Sequence, residues 1–365
     1  MATPSSPVRE VAVVGGTGEY FPRTGLLRFP QRQPWLIFLG TLGSSVAISL
    51  AKNPAFGVRA LSRDAQGPKA QSLWDCGITV ETANNWDSQA LEAAFHGCWA
   101  VFINIDSDNP DYQWKTGAKP TEFDMTKNVM DSAIRAGVKH IIFASLPPAS
   151  NLTQGKMPMV SFDDKARAAD YMMECAKMGQ LETATVVNPG WFLENAYDDK
   201  YVAAFGGFAK LVDGDGYLTF KTPRMGNDPE SVPWLAVADD YGDIVHGILL
   251  ECERWNGEYI DAVSESTSFA DMAAAHQKAT GRLSRFIAIE KGALEAEDAS
   301  KTEEVNGLYD LMHELKGNFF NGRPTEHENA KALKAKACEA TGRGDQACLM
   351  TVEGFFRKYG EPLDS

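Results

Sequence analysis

Apolar and polar positions alternate along the chain between two spacings. Short aliphatic and β-branched runs end at a glycine or a polar residue, as buried parallel strands do: 8–15 (VREVAVVG), 58–63 (VRALSR), 78–83 (ITVETA), 100–105 (AVFINI), 139–145 (KHIIFAS) and 183–190 (TATVVNPG). Between them lie stretches with helical spacing. In 41–52 the apolar residues fall at Leu42, Val46 and Leu50, and further helices are expected over 68–76, 88–95, 121–136 and 162–178. Asp87 is placed to cap the third helix, and Gly137 and Gly179 close the fourth and fifth. Strand and helix in strict alternation predict βαβ units, a parallel sheet and right-handed crossovers.

Beyond Gly190 the alternation loosens. Strand-like pieces begin near 217, 233, 258 and 285, mixed with helices led by Asp239, Ser268, Lys301 and Thr325. The expected fold class is α/β, with a doubly wound Rossmann domain over residues 1–190 and a smaller α+β lobe over 191–365. That lobe folds over the carboxyl edge of the sheet and returns some chain to it.

The first βα turn is broken. Gly15 to Gly18 reads GGTG, and the glycine pattern resumes only at Leu42-Gly43, after the 22 residues Glu19–Gly40. Without them the text is VAVVGGTG followed by TLGSSVAISLAK, a G-x-x-G-x-x-G turn between a strand and a helix. Gly15 makes the bend, Gly18 lets the backbone approach a pyrophosphate, and Gly43 lets the helix pack on the strand. The phosphate then meets the amide-rich helix N-terminus.

Back-translation permits GTGAGT across Gly18-Glu19-Tyr20, a branch-point-like CTAAT at Leu36-Ile37, and TTAG at Leu39-Gly40. Excision from codon 18 to codon 40 keeps the frame and restores a glycine. The expectation is a retained intron, since insertions are rare inside a phosphate-gripping turn and WLIFL has no evident place to be buried. The alternative is a surface insertion, because long loops cost little chain entropy.

Charge and composition narrow the partners. The formal charge is −14, from 35 Lys and Arg against 49 Asp and Glu, which disfavours a nucleic-acid backbone. Six cysteines show no C-x-x-C pair and no zinc spacing, so free thiols in the cytoplasm are expected, with the nucleus open to a regulator. No run approaches a membrane span. No metal site is expected.

Arg63 follows the second strand, where an NAD-specific enzyme more often carries an acid. An arginine there pairs with a 2′-phosphate and favours NADP(H); Asp64 dissents one residue later.

The stretches VAVVGGTG, TLGSSVA, VRALSRD, AGVKHIIFASLPP, FDDKARAADYM, NPGWFLEN and the terminal TVEGFFRKYGEPL, taken in order, resemble the NmrA-like family of atypical short-chain dehydrogenases. The resemblance spans most of the chain and implies NADP(H) contacts at Gly15, Thr17, Gly18, Leu42, Gly43 and Arg63. It further implies contacts at Asn104 and Ile105, at Ser145 or Leu146, at Lys165, and at Asn188, Pro189 and Trp191. Short-chain dehydrogenases use Tyr-x-x-x-Lys. Here Lys165 is present, but Ser161 stands four residues before it, and the literal Tyr217-to-Lys221 match falls in a strand-like piece, where it is read as chance. Lys165 is therefore a cofactor anchor first and an acid second.

His140 and His246 are read as structural. The missing tyrosine points to an NADP(H)-binding, redox-sensing regulator with a protein partner. The alternative is an NADPH-dependent oxidoreductase of a small carbonyl, quinone or unsaturated substrate, with Trp191, Phe192, Phe205, Phe208 and Trp234 lining a cleft.

Overall fold

In the computed structural model, which describes residues 7–15, 42–107, 120–198, 202, 205–295 and 299–362, the strand that opens the sequence becomes the centre of the sheet. β1 (Arg9–Val14) lies between β2 (Phe56–Ser62) and β4 (Ala100–Ile103), parallel to both. β3 (Thr79–Thr82) lies beyond β2. On the other side follow β5 (His140–Ala144), β6 (Thr183–Pro189) and β10 (Tyr259–Ala262). The order is β10-β6-β5-β4-β1-β2-β3 and every pairing is parallel. Strand order reverses between β1 and β4, so a crevice opens there at the carboxyl edge, the place where open α/β sheets take their ligands.

The alternating strand residues enter two cores. Val11, Val13, Phe102 and Ile260 pack under α1 (Leu42–Ala51), while Val14, Ile103, Phe143 and Val186 pack under α3 (Ser88–Phe95), α4 (Glu122–Arg135) and α6 (Val160–Lys177). α2 (Pro68–Trp74) follows β2, and a single-turn α5 (Ala149–Leu152) precedes α6. Asp87 caps α3 through the amide of Ala90, and Thr121 with Asp124 forms a capping box at α4.

The second half is built on smaller sheets. β7 (Trp191–Phe192) continues directly from β6 and pairs with β9 (Val232–Leu235), which also takes β11 (Glu265–Thr267); β8 (Leu218–Thr222) pairs with β12 (Ser284–Ala288). Its helices are α7 (Gly242–Leu250), α8 (Phe269–Thr280), α9 (Ala299–Glu314), α10 (Glu328–Ala340) and α11 (Val352–Tyr359). The lobe has its own aromatic core, and it hands β10 back to the main sheet and α7 and α10 to the α1 face.

All six cysteines are free thiols, and four of them are buried; burial pushes Cys98 up to about 11 and Cys252 to about 12. No helix among the described residues is long and apolar enough to cross a membrane.

Candidate active site at the carboxyl edge

Gly15 closes β1 with φ +83°, and a Cβ on it would stand 2.4 Å from the Asn104 carbonyl oxygen. Only glycine makes this bend against the end of β4. Thr17, Gly18 and Glu19–Gly40 lie outside the described residues. On the far side of that segment, Leu42 and Gly43 open α1 and are buried, so their contribution to a ligand is backbone amide at the helix N-terminus.

The lobe fixes that first turn from behind. Ser45 Oγ donates to the Val237 carbonyl (2.7 Å) and accepts from the Gly242 amide (2.9 Å), and a Cβ on Gly242 would lie 2.1 Å from the Ser45 carbonyl oxygen. One turn further on, Ser49 Oγ bonds the Asp243 carboxylate and His246 Nδ1 (3.1 Å), and Asn53 meets His246 Nε2 (3.0 Å). Arg343 grips the same Asp243 through two bonds of 2.8 and 3.0 Å. Serine, histidine and aspartate thus meet, but fully buried, with the carboxylate spent on an arginine. The cluster pins α1 to α7 and leaves no nucleophile open to a substrate.

Arg63 directly follows β2 and is exposed beside the bend. Asp64 is consumed by its own loop: its Oδ1 accepts from the Gln66 amide (3.0 Å), and its backbone is bracketed by Ser62 Oγ. The acid that argued for NAD in the sequence is a turn residue.

Lys165 is 6% exposed, not a surface lysine. Its Nζ donates to the Ile105 carbonyl (2.8 Å), at the end of β4, and to the carboxylate of Glu122, which is wholly buried in the first turn of α4. Burial pushes the Glu122 carboxyl upward and the Lys165 charge pulls it back. Ser161, at the position of the missing tyrosine, is buried and donates to Glu304 of α9 (3.4 Å). Ser145 ends β5 with its hydroxyl towards the Leu146 carbonyl (3.4 Å). Asn188 is 1% exposed and neither end of its amide has a partner among the described residues. Pro189 and Gly190 then carry the chain onto β7, where Trp191 meets the rings of Tyr309 (5.2 Å) and Phe269 (5.9 Å).

Other expectations change. Phe208 and Trp234 are interior residues of the lobe core, 1% and 5% exposed, because Phe208 packs on Phe220 and His276, and Trp234 packs on Phe269. They do not line a cleft; Trp191, Phe192 and Phe205 keep partial exposure. Tyr217 stands before β8 under the Arg285 guanidinium (4.6 Å), and Lys221 is exposed, so that motif belongs to a lobe strand. His140 meets Thr183 Oγ1 (2.8 Å) at the start of β5, on the opposite edge of the sheet.

Glu194, next in the NPGWFLEN stretch, was not singled out by the sequence. Its Oε1 accepts from the Ala238 amide (3.0 Å), its Oε2 is buried without a partner among the described residues, and burial pushes it up to about 7. His246 and His276 are lowered to about 4 by burial. Each histidine contributes stability that is present above 6.5 and lost as pH falls towards 4. Glu194 acts the other way: its contribution is present below 4.5 and lost as pH rises through about 7. Glu194→Gln removes the opposing contribution, so urea midpoints should fall more steeply with acidification between pH 6.5 and 4.5 than in the wild type. Parallel profiles would show that Glu194 ionises freely.

The reversal of strand order beside the Gly15 bend, with α1 starting at the same edge, defines a Rossmann-fold protein. The chain belongs to the NmrA-like family, whose model matches residues 39–338. It is 36% identical over 326 residues to the NmrA-like family domain-containing oxidoreductase FrzB of a Cladobotryum species, covering 88% of this chain and 95% of the relative. It is 38% identical over 309 residues to lnaB of Aspergillus flavus, which bears the same description, covering 84% and 91%. Its fold matches that of NmrA, a negative transcriptional regulator solved in complex with NADP, with a TM-score of 0.67 at 19% identity over 96% of this chain and 95% of that one.

Proposed function

We propose that this chain is an NADPH-dependent oxidoreductase acting on a small carbonyl, quinone or otherwise unsaturated substrate. The observation that carries it is the buried Lys165–Glu122 pair bonded to the Ile105 carbonyl at the carboxyl edge. Sequestering two charges is costly and adds little to stability, so a pair kept there is better explained by chemistry. The residues present fit a nicotinamide dinucleotide: a bend that only glycine makes, a helix N-terminus beside it, an arginine at the end of β2 and an unspent amide on β6. Such a cofactor supplies a hydride when bound. Lys165 then holds a proton at Nζ for the oxygen or carbon that becomes basic, with Glu122 fixing the ammonium and the Ile105 carbonyl aiming it. Trp191 and its aromatic neighbours exclude water from that edge. The shared description of the fungal relatives supports this reading.

The second reading, an NADP(H)-sensing regulator, is favoured by Ser161 in place of tyrosine and by the description of NmrA. NADPH oxidation against a carbonyl, quinone and enone panel separates the two. Tight binding with no turnover across the panel would favour the regulator.

For NADP over NAD the support is Arg63. Arg63→Ala should shift the ratio of NADPH to NADH affinity by roughly ten- to a hundredfold, the worth of a charge-assisted bond. An unchanged ratio would remove Arg63 from the site.

A further inference from the structure

We propose that Asn188 reads the carboxamide of the nicotinamide ring, pairing that amide with its own donor and acceptor; this rests on the dinucleotide reading above. Asn188 is 1% exposed, yet its Oδ1 and Nδ2 are both without a partner among the described residues. Its neighbours do not supply one. Asp261, its register partner on β10, spends its carboxylate on Arg323 (2.9 and 3.0 Å) and on the Glu326 amide (3.1 Å). On the other side, one step past the Ala144–Val187 pair, Ser145 turns its hydroxyl to Leu146.

Nor can the amide swing away with its backbone. The Gly190 amide is bound to the Ala262 carbonyl (2.9 Å), and a Cβ on Gly190 would stand 2.3 Å from the Pro233 carbonyl oxygen, so the chain after Asn188 is clamped between two strands. A buried amide with nothing to bond is a cost that folding does not return, and it is kept where a ligand supplies the missing bonds.

Position and chemistry select the ligand group. Ile105, Ser145 and Asn188 follow on the same sheet face as Ile103, Phe143 and Val186, on neighbouring strands spaced by about 4.8 Å. Asn188 thus sits about two strand spacings, on the order of 10 Å, from the carbonyl that holds Lys165. A hydroxyl would satisfy one end of the amide, and an anion would be repelled by Oδ1. A second amide satisfies both. Adenine also offers a donor beside an acceptor, but the residue placed for the adenosine end, Arg63, directly follows β2, four strands away in the order β6-β5-β4-β1-β2. The nicotinamide carboxamide is the group whose donor and acceptor are fixed in one plane, as those of the Asn188 amide are.

The test uses the full chain and Asn188→Leu and Asn188→Ala, titrated with NADP+, with its 3-acetylpyridine analogue, which lacks the amide N–H, and with adenosine 2′,5′-bisphosphate, which lacks the nicotinamide half. The wild type should prefer NADP+ over the analogue by about tenfold. Both variants should lose that preference, bind NADP+ about tenfold more weakly and keep the bisphosphate affinity. The ligand-free Asn188→Leu protein should melt no lower than the wild type, because an unspent polar group has been removed. Unchanged NADP+ affinity in both variants overturns the assignment. So does a lowered melting temperature with equal losses for NADP+ and the bisphosphate, which marks a structural amide. If neither the wild type nor a chain lacking Glu19–Gly40 binds any of the three ligands, the dinucleotide reading itself is overturned.

Discussion

Deleting Glu19–Gly40 should tighten NADPH binding by about a hundredfold. A pyrophosphate in this fold takes amides from the end of β1 and from the start of α1 together. The described flanks are already set for that: Gly15 is pressed on Asn104, and Ser45 is tied to Val237 and Gly242. What separates Gly18 from Thr41, the two sides of the gripping turn, is 22 residues of chain that the ligand has to order as it draws those two sides together. The entropy of closing a loop scales as (3/2)RT ln n, about 2.7 kcal/mol at this length, or about a hundredfold in Kd.

The family match begins at residue 39 and leaves out β1, the central strand of the sheet. A retained intron over Glu19–Gly40 is an expectation from the sequence alone. The direct measurement is cDNA sequencing, in which codons 19–40 should be missing. If every transcript keeps them, the expectation fails, and equal affinities for the two chains would show that the insertion is harmless to the site.

The framework of the first half was legible because its determinants are local. Asp87 caps where its side chain suggests, and the aliphatic runs are the strands, because a parallel strand buried on both faces has few other ways to read. The smaller elements were not. α5 is a single turn, and β7 and β11 are two and three residues that exist only by pairing with β9.

The site was half legible for a related reason. Gly15 and Arg63 announce themselves within one βα unit, whereas the partner of Lys165 is 43 residues away on another helix. SFDDKARAADYM has a charged look that suggests a solvated face, and Glu122 reads as an ordinary first-turn acid favoured by the helix dipole. Only the packing of α4 against α6 shows that both are buried. The tie between Ser45 and Gly242 spans 197 residues, and no local pattern carries it.

That buried pair changes how Lys165 has to be tested. Lys165→Ala leaves the Glu122 carboxylate inside without a counter-charge, and breaking a buried pair from one side costs about 3–5 kcal/mol. A loss of turnover in that variant therefore reports instability as readily as chemistry. Replacing both groups with apolar residues of similar size is close to neutral or stabilising. The double variant Lys165→Met, Glu122→Leu should therefore melt within a few degrees of the wild type while its kcat falls by about 10²- to 10⁴-fold, the usual contribution of a positioned proton donor.

Glu122→Gln is the partner experiment. It keeps a hydrogen-bond acceptor for the ammonium but removes the charge that fixes it, so kcat should fall by less than in the double variant while NADPH affinity stays unchanged. That split separates a positioning residue from a structural one, since a structural defect would lower affinity and melting temperature together. If the stable double variant reduces its substrate at the wild-type rate, Lys165 supplies no proton, and the pair is left as a means of holding α4 to α6.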